Sequence, residues 1–454
     1  MDKLENENST KRITKKIIKK KKDTKDIKDT KDTKDTKDTK DTNLTFIDLC
    51  CGIGGFHQAL TNMNFKCVLA SDIDIDCRTN YELNYKIKPH GDLAKIDIPT
   101  IPNFDILCAG FPCQPFSKAG KQEGFEDKRG NIFFNICKII EYHKPSYIIL
   151  ENVRNLATHD GGNTWNTIKT KLNELNYNTY DKPIILNTLY FGVPQSRERV
   201  VILCKRRDRG EMPKLPSITR KNIKETSLYN IFEDKETQKY EITKKLKITQ
   251  NIWDEFLEIL KKNNIPIPKF PIWTDWWDSN GDNTKITKQD NTKSLEDNNK
   301  IIKKKQDDFY GKYKNWIDKN REFYNKNKQL LHTWLSNSRK KKEWIGALRK
   351  MEWQTSDDNL RMKDVLWSPR GSGIRIKNTN YAPTLVAMTS MIPIYGAEMR
   401  HLSPRECARL QSFPENYIIH SNDKIAYKQF GNAVNVKMIE KSARFLINNE
   451  SLFE

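Results

Sequence analysis

Residues 44–56, LTFIDLCCGIGGF, join a short apolar run to a glycine-rich turn and then to the start of a helical pattern. Similar apolar runs follow at 66–71, 104–109, 147–150 and 200–203, separated by amphipathic helical patterns. Repeated strand–helix units of this length predict an α/β fold with a parallel sheet that helices cover on both faces. Ligands of such folds bind at the carboxyl ends of the strands, so the chemistry should lie in the loops that follow them.

Length and charge indicate two folded lobes and a polyanionic partner. The chain has 454 residues, and its 80 Lys and Arg exceed its 59 Asp and Glu to give a net charge of +21. Residues 1–43 hold 15 basic and 10 acidic side chains, and residues 205–399 hold 40 and 26. The first segment is Lys-rich, runs into Lys-Asp-Thr triplets and has no apolar face, which predicts a disordered basic tail.

The second basic segment has a different composition. Residues 205–399 show weak apolar periodicity, yet they contain nine of the ten tryptophans. Disordered segments lack aromatic residues, so we expect a second, smaller and loop-rich lobe whose core most of these tryptophans form. The order of its elements cannot be derived from the pattern. A regular pattern returns after about residue 399, and 433–448 is typical of an amphipathic helix.

Several classes of protein are excluded. The nine cysteines include no CxxC pair or Cys/His cluster, which argues against a disulfide framework and against a metal site. No apolar run approaches the ~18 residues that cross a bilayer, and no signal-peptide core is present. We therefore expect an intracellular protein, cytoplasmic in a bacterium and nuclear or in a viral factory otherwise.

A pocket for an adenosine-containing ligand is predicted at the first glycine turn. Its glycines, Gly52, Gly54 and Gly55, let backbone approach a ligand, and Asp72 lies about 20 residues downstream, where a carboxylate holds ribose hydroxyls. A tight corner without a ligand is the alternative. His57 occupies the place of the third glycine of a dinucleotide fingerprint, which disfavours NAD. Asp92, in a third loop, could accept a hydrogen bond from an adenine amino group or cap a helix.

A catalytic group is predicted in the loops after two further strands. Cys113 lies between two prolines that stiffen the loop after 104–109, which favours a nucleophile over the inert packing usual for cysteine. Glu151 follows the next strand and should converge with it. Arg197 and Arg199, at alternate positions, could form structural salt bridges, but we expect Arg197 in the active site.

Taken in order, these motifs resemble those of the DNA (cytosine-5)-methyltransferase family, particularly its restriction-modification type. The resemblance covers residues 44–204 and 400–440, with Pro112-Cys113-Gln114 followed by Glu151-Asn152-Val153 as its most specific part. It implies a Rossmann-like methyltransferase with a mostly parallel sheet and a smaller DNA-recognition domain. The implied organisation is a tail (1–43), a first catalytic part (44–204), a recognition domain that includes the 400–411 motif (205–417) and a second catalytic part (418–454).

The resemblance also implies a reaction and its residues. Cys113 would attack carbon 6 of a flipped-out cytosine, Glu151 would act at N3, and Arg197 would hold the carbonyl oxygen. The remaining implied catalytic residues are Gln114, Asn152 and Arg199. S-adenosyl-L-methionine would be the methyl donor and S-adenosyl-L-homocysteine the product. Its implied contacts are Phe46, Asp48, Gly52, Ile53, Gly54, Gly55, Asp72, Ile73, Asp92, Pro112, Asn432 and Val434.

Two departures and three alternatives accompany this interpretation. The chain has Cys50 where the family usually has an aromatic residue against the adenine, and Ile73 replaces another position that is aromatic in some members, so cofactor affinity could be lower. Residues 116–130 resemble the family's lid.

The expected partners are double-stranded DNA and, functionally, a restriction endonuclease, with the enzyme a monomer. A tRNA-methylating enzyme, a non-catalytic DNA-binding relic and, least favoured, a dehydrogenase are the alternatives.

Overall fold

A computed structural model describes residues 43–112, 132–233, 237–278, 295–355, 357–377 and 379–453. The predicted nucleophile Cys113, its neighbour Gln114, the segment 116–130 and the tail 1–42 lie outside these described residues. The predictions made for them therefore stay predictions.

The described residues form two groups of strands and helices along the chain. The strands are β1 (Thr45–Leu49), β2 (Lys66–Ser71), β3 (Ile106–Gly110), β4 (Tyr147–Val153), β5 (Tyr177–Asn178), β6 (Ile184–Asn187), β7 (Gln195–Ser196), β8 (Glu198–Arg206), β9 (Ile272–Trp273), β10 (Lys350–Trp353), β11 (Leu366–Arg370), β12 (Gly373–Lys377), β13 (Ala382–Pro383), β14 (Ile394–Tyr395) and β15 (Arg400–His401). The helices are α1 (Gly55–Thr61), α2 (Ile75–Tyr85), α3 (Ile132–His143), α4 (Asn163–Glu174), α5 (Lys244–Lys262), α6 (Leu295–Lys326), α7 (Lys328–Arg339), α8 (Pro404–Leu410), α9 (Asp423–Asn432) and α10 (Val436–Asn448).

The first sheet has seven strands in the order β2-β1-β3-β4-β8-β5, and β6 also pairs with β8. Strands β1 to β4 are parallel, as the sequence predicts. Strand β8, which contains the apolar run 200–203, instead runs antiparallel to β4, β5 and β6. It can do so because residues 184–206 form an antiparallel pair of strands joined by a short connection, so no crossover helix precedes β8.

Alternation along the strands of this sheet supplies a core on each face. Phe46 and Cys108 point into one core with α1 and α10, whereas Ile47 and Leu107 point into the other with α3 and α4. Side chains that alternate between two apolar cores, with a period of two residues, are typical of strands buried on both faces of a sheet. The fold is therefore the expected α/β arrangement, and the carboxyl ends of β1 to β4 share one edge.

The second lobe contains a six-stranded sheet in the order β15-β14-β11-β12-β10-β9, together with α5, α6 and α7. Its core contains Trp253, Trp277, Trp334, Trp344, Trp353 and Trp367, which confirms the expected role of most of these residues. The buried Asn320 fixes α6 to this core, because its side chain accepts hydrogen bonds from the backbone of Trp273 (2.7 Å) and the indole of Trp277 (3.2 Å) and donates to the carbonyl of Pro271 (2.9 Å).

The motif at 400–411 joins the two lobes. β15 extends the second sheet, but Leu402, Cys407 and Leu410 pack in the first core, as do Phe413 and Tyr417. The catalytic core therefore covers the apolar face of α8. Among the described residues, no helix is both long and apolar enough to cross a membrane.

Candidate active site and cofactor cradle

The carboxyl ends of β1, β2 and β3 form a cradle around Gly52, which has a left-handed φ of 52° and open space where a Cβ would be. Its backbone N–H donates to Oδ2 of Asp72 at 2.8 Å, and the other Asp72 oxygen accepts from the backbone of Asp74 at 2.8 Å. Burial raises the pKa of Asp72, an effect that these hydrogen bonds oppose. The carboxylate is thus fixed beside the glycine turn.

Apolar and polar side chains complete the cradle. Ile73, next to Asp72, is 77% exposed and offers an apolar surface. Val434 returns from near the C-terminus and occupies the space that a side chain at Gly55 would need, and it lies within van der Waals reach of Gly110. Asp92 is half-buried and accepts a hydrogen bond from the backbone of Ala94 at 3.0 Å, so it caps a short helix. Pro112 and Asn432 are exposed.

The side chains of three residues predicted to contact a cofactor are buried. Phe46, Asp48 and Ile53 are at most 1% exposed. Phe46 packs edge-on against the ring of His57, and burial holds the pKa of Asp48 well above its usual range. These side chains support the turn from beneath, because alternation along β1 directs Phe46 and Asp48 into the first core. At the other two glycines of the turn, a neighbouring side chain occupies the space that a Cβ would need: Tyr85 at Gly54 and Val434 at Gly55.

An ion pair lies at the end of β4. Glu151 is the register partner of Gly110 in β3, and its Oε1 lies 2.9 Å from Nε of Arg199 in β8. The two side chains are only 10% and 12% exposed. Burial raises the pKa of Glu151, against the opposing charges of Arg199 and Arg197. A glutamate in this setting can hold a proton and donate it to a base.

The neighbouring Asn152 braces the loop that leads to residue 113. Its Nδ2 donates to the carbonyl of Phe111 at 2.8 Å, and its Oδ1 accepts from the backbone of Val153 at 2.8 Å. This hydrogen bond ties the end of β4 to Phe111, and the predicted convergence of Cys113 with Glu151 stays a prediction.

Arg197, which the sequence placed in the active site, has another position. It is 1% exposed, and its guanidinium donates to the carbonyls of Leu385 (3.0 Å), Gly431 (3.3 Å) and Ala433 (2.8 Å). Burial, and secondarily Arg199, lowers its pKa to about 9. Alternation along one strand predicted that Arg197 and Arg199 point the same way. This does not hold, because Arg197 lies between two strands with different partners: β7 pairs with β13, and β8 pairs with β6. Arg199 is the arginine beside Glu151.

Arg197 belongs to a buried polar cluster that joins distant segments. Gln195 donates to the carbonyl of Leu410 at 2.9 Å and accepts from the backbone of Leu385 at 3.1 Å, and Gln411 donates to the carbonyl of Phe430 at 2.7 Å. All three side chains are at most 1% exposed. Sequence reasoning missed this cluster, since the contacts of Gln195 and Arg197 span about 190 to 240 positions; the polar pattern Gln-Ser-Arg before an apolar strand was the available signal.

The Gly431→Ala variant should be destabilised by about 1–3 kcal/mol. A Cβ at this position would lie 2.4 Å from the carbonyl carbon of Val386 and 2.5 Å from the backbone nitrogen of Ala387, which are backbone atoms and cannot rotate away. Urea unfolding measures the effect. Gly311→Ala, where nothing lies within 4 Å of the added Cβ, is the control, and equal unfolding midpoints for the two variants would contradict the close packing.

A cleft of about 440 Å³ opens beside Arg199. Its first wall belongs to the catalytic core and its second wall to β11, β12 and the segment around Thr384, so both lobes form it. Among the described residues, the cationic side chains that line it are Arg154, Arg199, Arg370, Arg375 and Lys377, and the anionic one is Glu198. An excess of positive charge at this cleft suits a polyanion.

Comparison with known proteins decides the family. The sequence model of the family described as C-5 cytosine-specific DNA methylase matches residues 44–448. The chain belongs to this family. It is 34% identical over 441 residues to the type II methyltransferase M.BanI of Aneurinibacillus aneurinilyticus, covering 89% of this chain and 96% of that protein. It is 30% identical over 397 residues to M.HhaI of Haemophilus parahaemolyticus, covering 87% and 92%.

The methylase therefore transfers a methyl group from S-adenosyl-L-methionine to carbon 5 of cytosine in DNA. The cradle fits this donor: the open space at Gly52, the fixed Asp72 carboxylate and the exposed Ile73 suit a backbone contact, ribose hydroxyls and an adenine face. Among the described residues, no cluster of His, Cys, Asp and Glu could hold a metal ion.

The Asp72→Asn variant of the methylase should bind the donor roughly 10- to 100-fold more weakly, because hydrogen bonds to a charged group contribute about 1.5–3 kcal/mol. Isothermal titration with S-adenosyl-L-homocysteine measures the dissociation constant. Asp97→Asn, at an exposed loop position, is the matched control. Unchanged affinity in the Asp72 variant would remove this residue from the cofactor site.

Proposed function

We propose that the methylase binds duplex DNA in the cleft between its lobes and modifies one cytosine rotated out of a short recognition sequence. The observation that carries this proposal is the position of Arg199, whose guanidinium pairs with the buried Glu151 and also lines the cationic cleft. A base that enters beside Arg199 meets a carboxyl group with a raised pKa. A base stacked in a duplex cannot reach such a site, so it must be extruded.

In this proposal Cys113 is the nucleophile. Its thiolate forms a bond to carbon 6 of the cytosine, and the electron pair of the 5,6 double bond moves into the ring, where a proton held by Glu151 at N3 stabilises it. Arg199 donates to the carbonyl oxygen at carbon 2. When bound, the cofactor supplies an electrophilic methyl group, which carbon 5 takes up. Loss of the carbon 5 proton to a base then expels the thiolate and restores the double bond.

Asn152 is a positioning residue in this scheme. Its hydrogen bond to the Phe111 carbonyl holds the end of β3, and the chain reaches Cys113 two residues later. For the cofactor we propose contacts from Gly52, Asp72, Ile73, Asp92, Pro112, Asn432 and Val434. Gln114 stays a predicted contact to the base.

The biological setting is also a proposal. The relatives M.BanI and M.HhaI are named type II methyltransferases, which supports a pairing of this enzyme with a restriction endonuclease inside the cell that makes it. One chain supplies both walls of the cleft and the whole cradle, which supports a monomeric enzyme.

Expression in a methylation-free host, followed by base-resolution mapping of modified cytosines, tests the proposal. The expected result is 5-methylcytosine in one short fixed context. A parallel assay compares transfer of tritiated methyl groups to duplex DNA and to tRNA. An unmodified genome together with labelled tRNA would overturn the proposal in favour of the tRNA-methylating alternative, and no transfer to either would favour a non-catalytic DNA-binding protein.

A further inference from the structure

The hairpin of β11 and β12 presents three cations to the cleft, opposite Arg199. Arg370, Arg375 and Lys377 lie on the face opposite to Ile374 and Ile376, which are buried in the second core. A two-stranded ribbon of this kind fits the major groove of B-form DNA. The three cations differ in their hydrogen-bond and ion-pair partners, and this difference indicates different roles for them.

Arg375 is fixed by an acidic neighbour. It is the register partner of Glu352 in β10, and its Nε donates to Oε2 of Glu352 at 3.1 Å while a terminal nitrogen lies 3.0 Å from the same oxygen. Gln354 donates to this oxygen at 3.0 Å and holds the carboxylate in turn. A guanidinium carries five N–H groups, more than one carboxylate oxygen can accept, so the pair orients the fork and leaves donors for a ligand.

Arg370 and Lys377 flank this fixed pair, and no carboxylate of the described residues forms an ion pair with either; Nζ of Lys377 lies 5.8 Å from the centroid of the Tyr381 ring. The Nε of Arg370 is buried and has no hydrogen-bond partner among the described residues. Burial and the neighbouring positive charges lower the pKa of both side chains. A polyanion bound at this hairpin would relieve the repulsion between these positive charges, so these two positions suit contacts to phosphate groups.

We propose that Arg375, oriented by Glu352, determines sequence specificity by donating two hydrogen bonds to O6 and N7 of a guanine, while Arg370 and Lys377 contact the backbone phosphates. The assignment rests on the proposed binding of duplex DNA in this cleft. A held, planar fork matches the two acceptors of guanine, and this pairing discriminates between bases. Contacts to phosphate position the duplex but carry no sequence information.

The test uses duplexes that contain the mapped target sequence, with 7-deazaguanine replacing each guanine in turn to remove its N7 acceptor. For the wild-type enzyme we expect kcat/KM to fall about 5- to 100-fold at one guanine. In Arg375→Gln the same replacement should change kcat/KM less than about 2-fold, and mapped sites should lose their preference for guanine at that position. Glu352→Gln, which keeps the side-chain shape, should relax the preference at the same position.

Arg370→Gln is the matched control on the same hairpin. It should lower kcat/KM by the same factor on every duplex and reduce the salt dependence of binding by about one counterion. The inference is overturned if Arg375→Gln behaves like this control, or if no 7-deazaguanine affects the wild-type enzyme. A wild-type enzyme that transfers no methyl group to DNA would instead overturn the proposed function. Binding of S-adenosyl-L-homocysteine reports that each variant is folded.

Discussion

The Cys113→Ala variant is expected to lose methyl transfer to DNA by on the order of 10⁴-fold or more, because removal of a covalent nucleophile leaves no other group to activate carbon 5. Cytosine does not react at carbon 5 until a nucleophile adds at carbon 6. The donor and the DNA should still bind, since their proposed contacts lie elsewhere. Transfer of tritiated methyl groups to duplex DNA measures the loss.

Controls separate this effect from damage to the fold. Cys77→Ala removes a partly buried thiol from α2 and should keep most of the activity. A gel-shift assay should show DNA binding by Cys113→Ala within a few-fold of wild type. Retained transfer in the Cys113 variant would mean that another residue is the nucleophile.

The Glu151→Gln variant should lower kcat by roughly 10²- to 10⁴-fold, the usual contribution of a general acid or base. The amide keeps the shape of the side chain but cannot give a proton to N3. Single-turnover methylation measures the chemical step. Glu141→Gln, exposed on α3, is the matched control and should be close to wild type.

The pH dependence of the wild-type enzyme supplies a second readout. Because burial raises the pKa of Glu151, its proton is retained to higher pH than on an exposed glutamate and is lost as the pH rises through that pKa. kcat/KM should therefore show a descending limb that the Gln variant lacks. A profile identical in the two proteins would show that Glu151 does not supply the proton.

The sequence predicted the catalytic half well, because buried strands between helices leave a strong local pattern. β2 matches the predicted run 66–71, and α10 lies within the predicted helix 433–448. The direction of β8 was not predicted, since an apolar run shows burial and not orientation. The same limit explains Arg197: its alternation with Arg199 was visible, but the change of strand partner between β7 and β8 was not.

The sequence identified individual residues of the site but not which of them pair with one another. Glu151 and Arg199 were both named from motifs, yet their ion pair depends on the antiparallel register of β4 and β8. Phe46 was predicted as a cofactor contact, and the sequence did not show that its side chain is buried, because that direction follows from the face of β1 that carries the first core. In the second lobe, the tryptophan core was predictable from composition, whereas α6 was not, because its few apolar residues are spread among charged ones.

Covalent trapping on DNA is the decisive test of Cys113 as the nucleophile. Duplex DNA with 5-fluorocytosine at the mapped target base is incubated with the enzyme and S-adenosyl-L-methionine, and the products are separated under denaturing conditions. Fluorine cannot leave as a proton does, so we predict a covalent protein–DNA complex, and peptide mass spectrometry should place the bond on Cys113. An enzyme that methylates ordinary cytosine but forms no such complex, or forms it through another residue, would contradict the account.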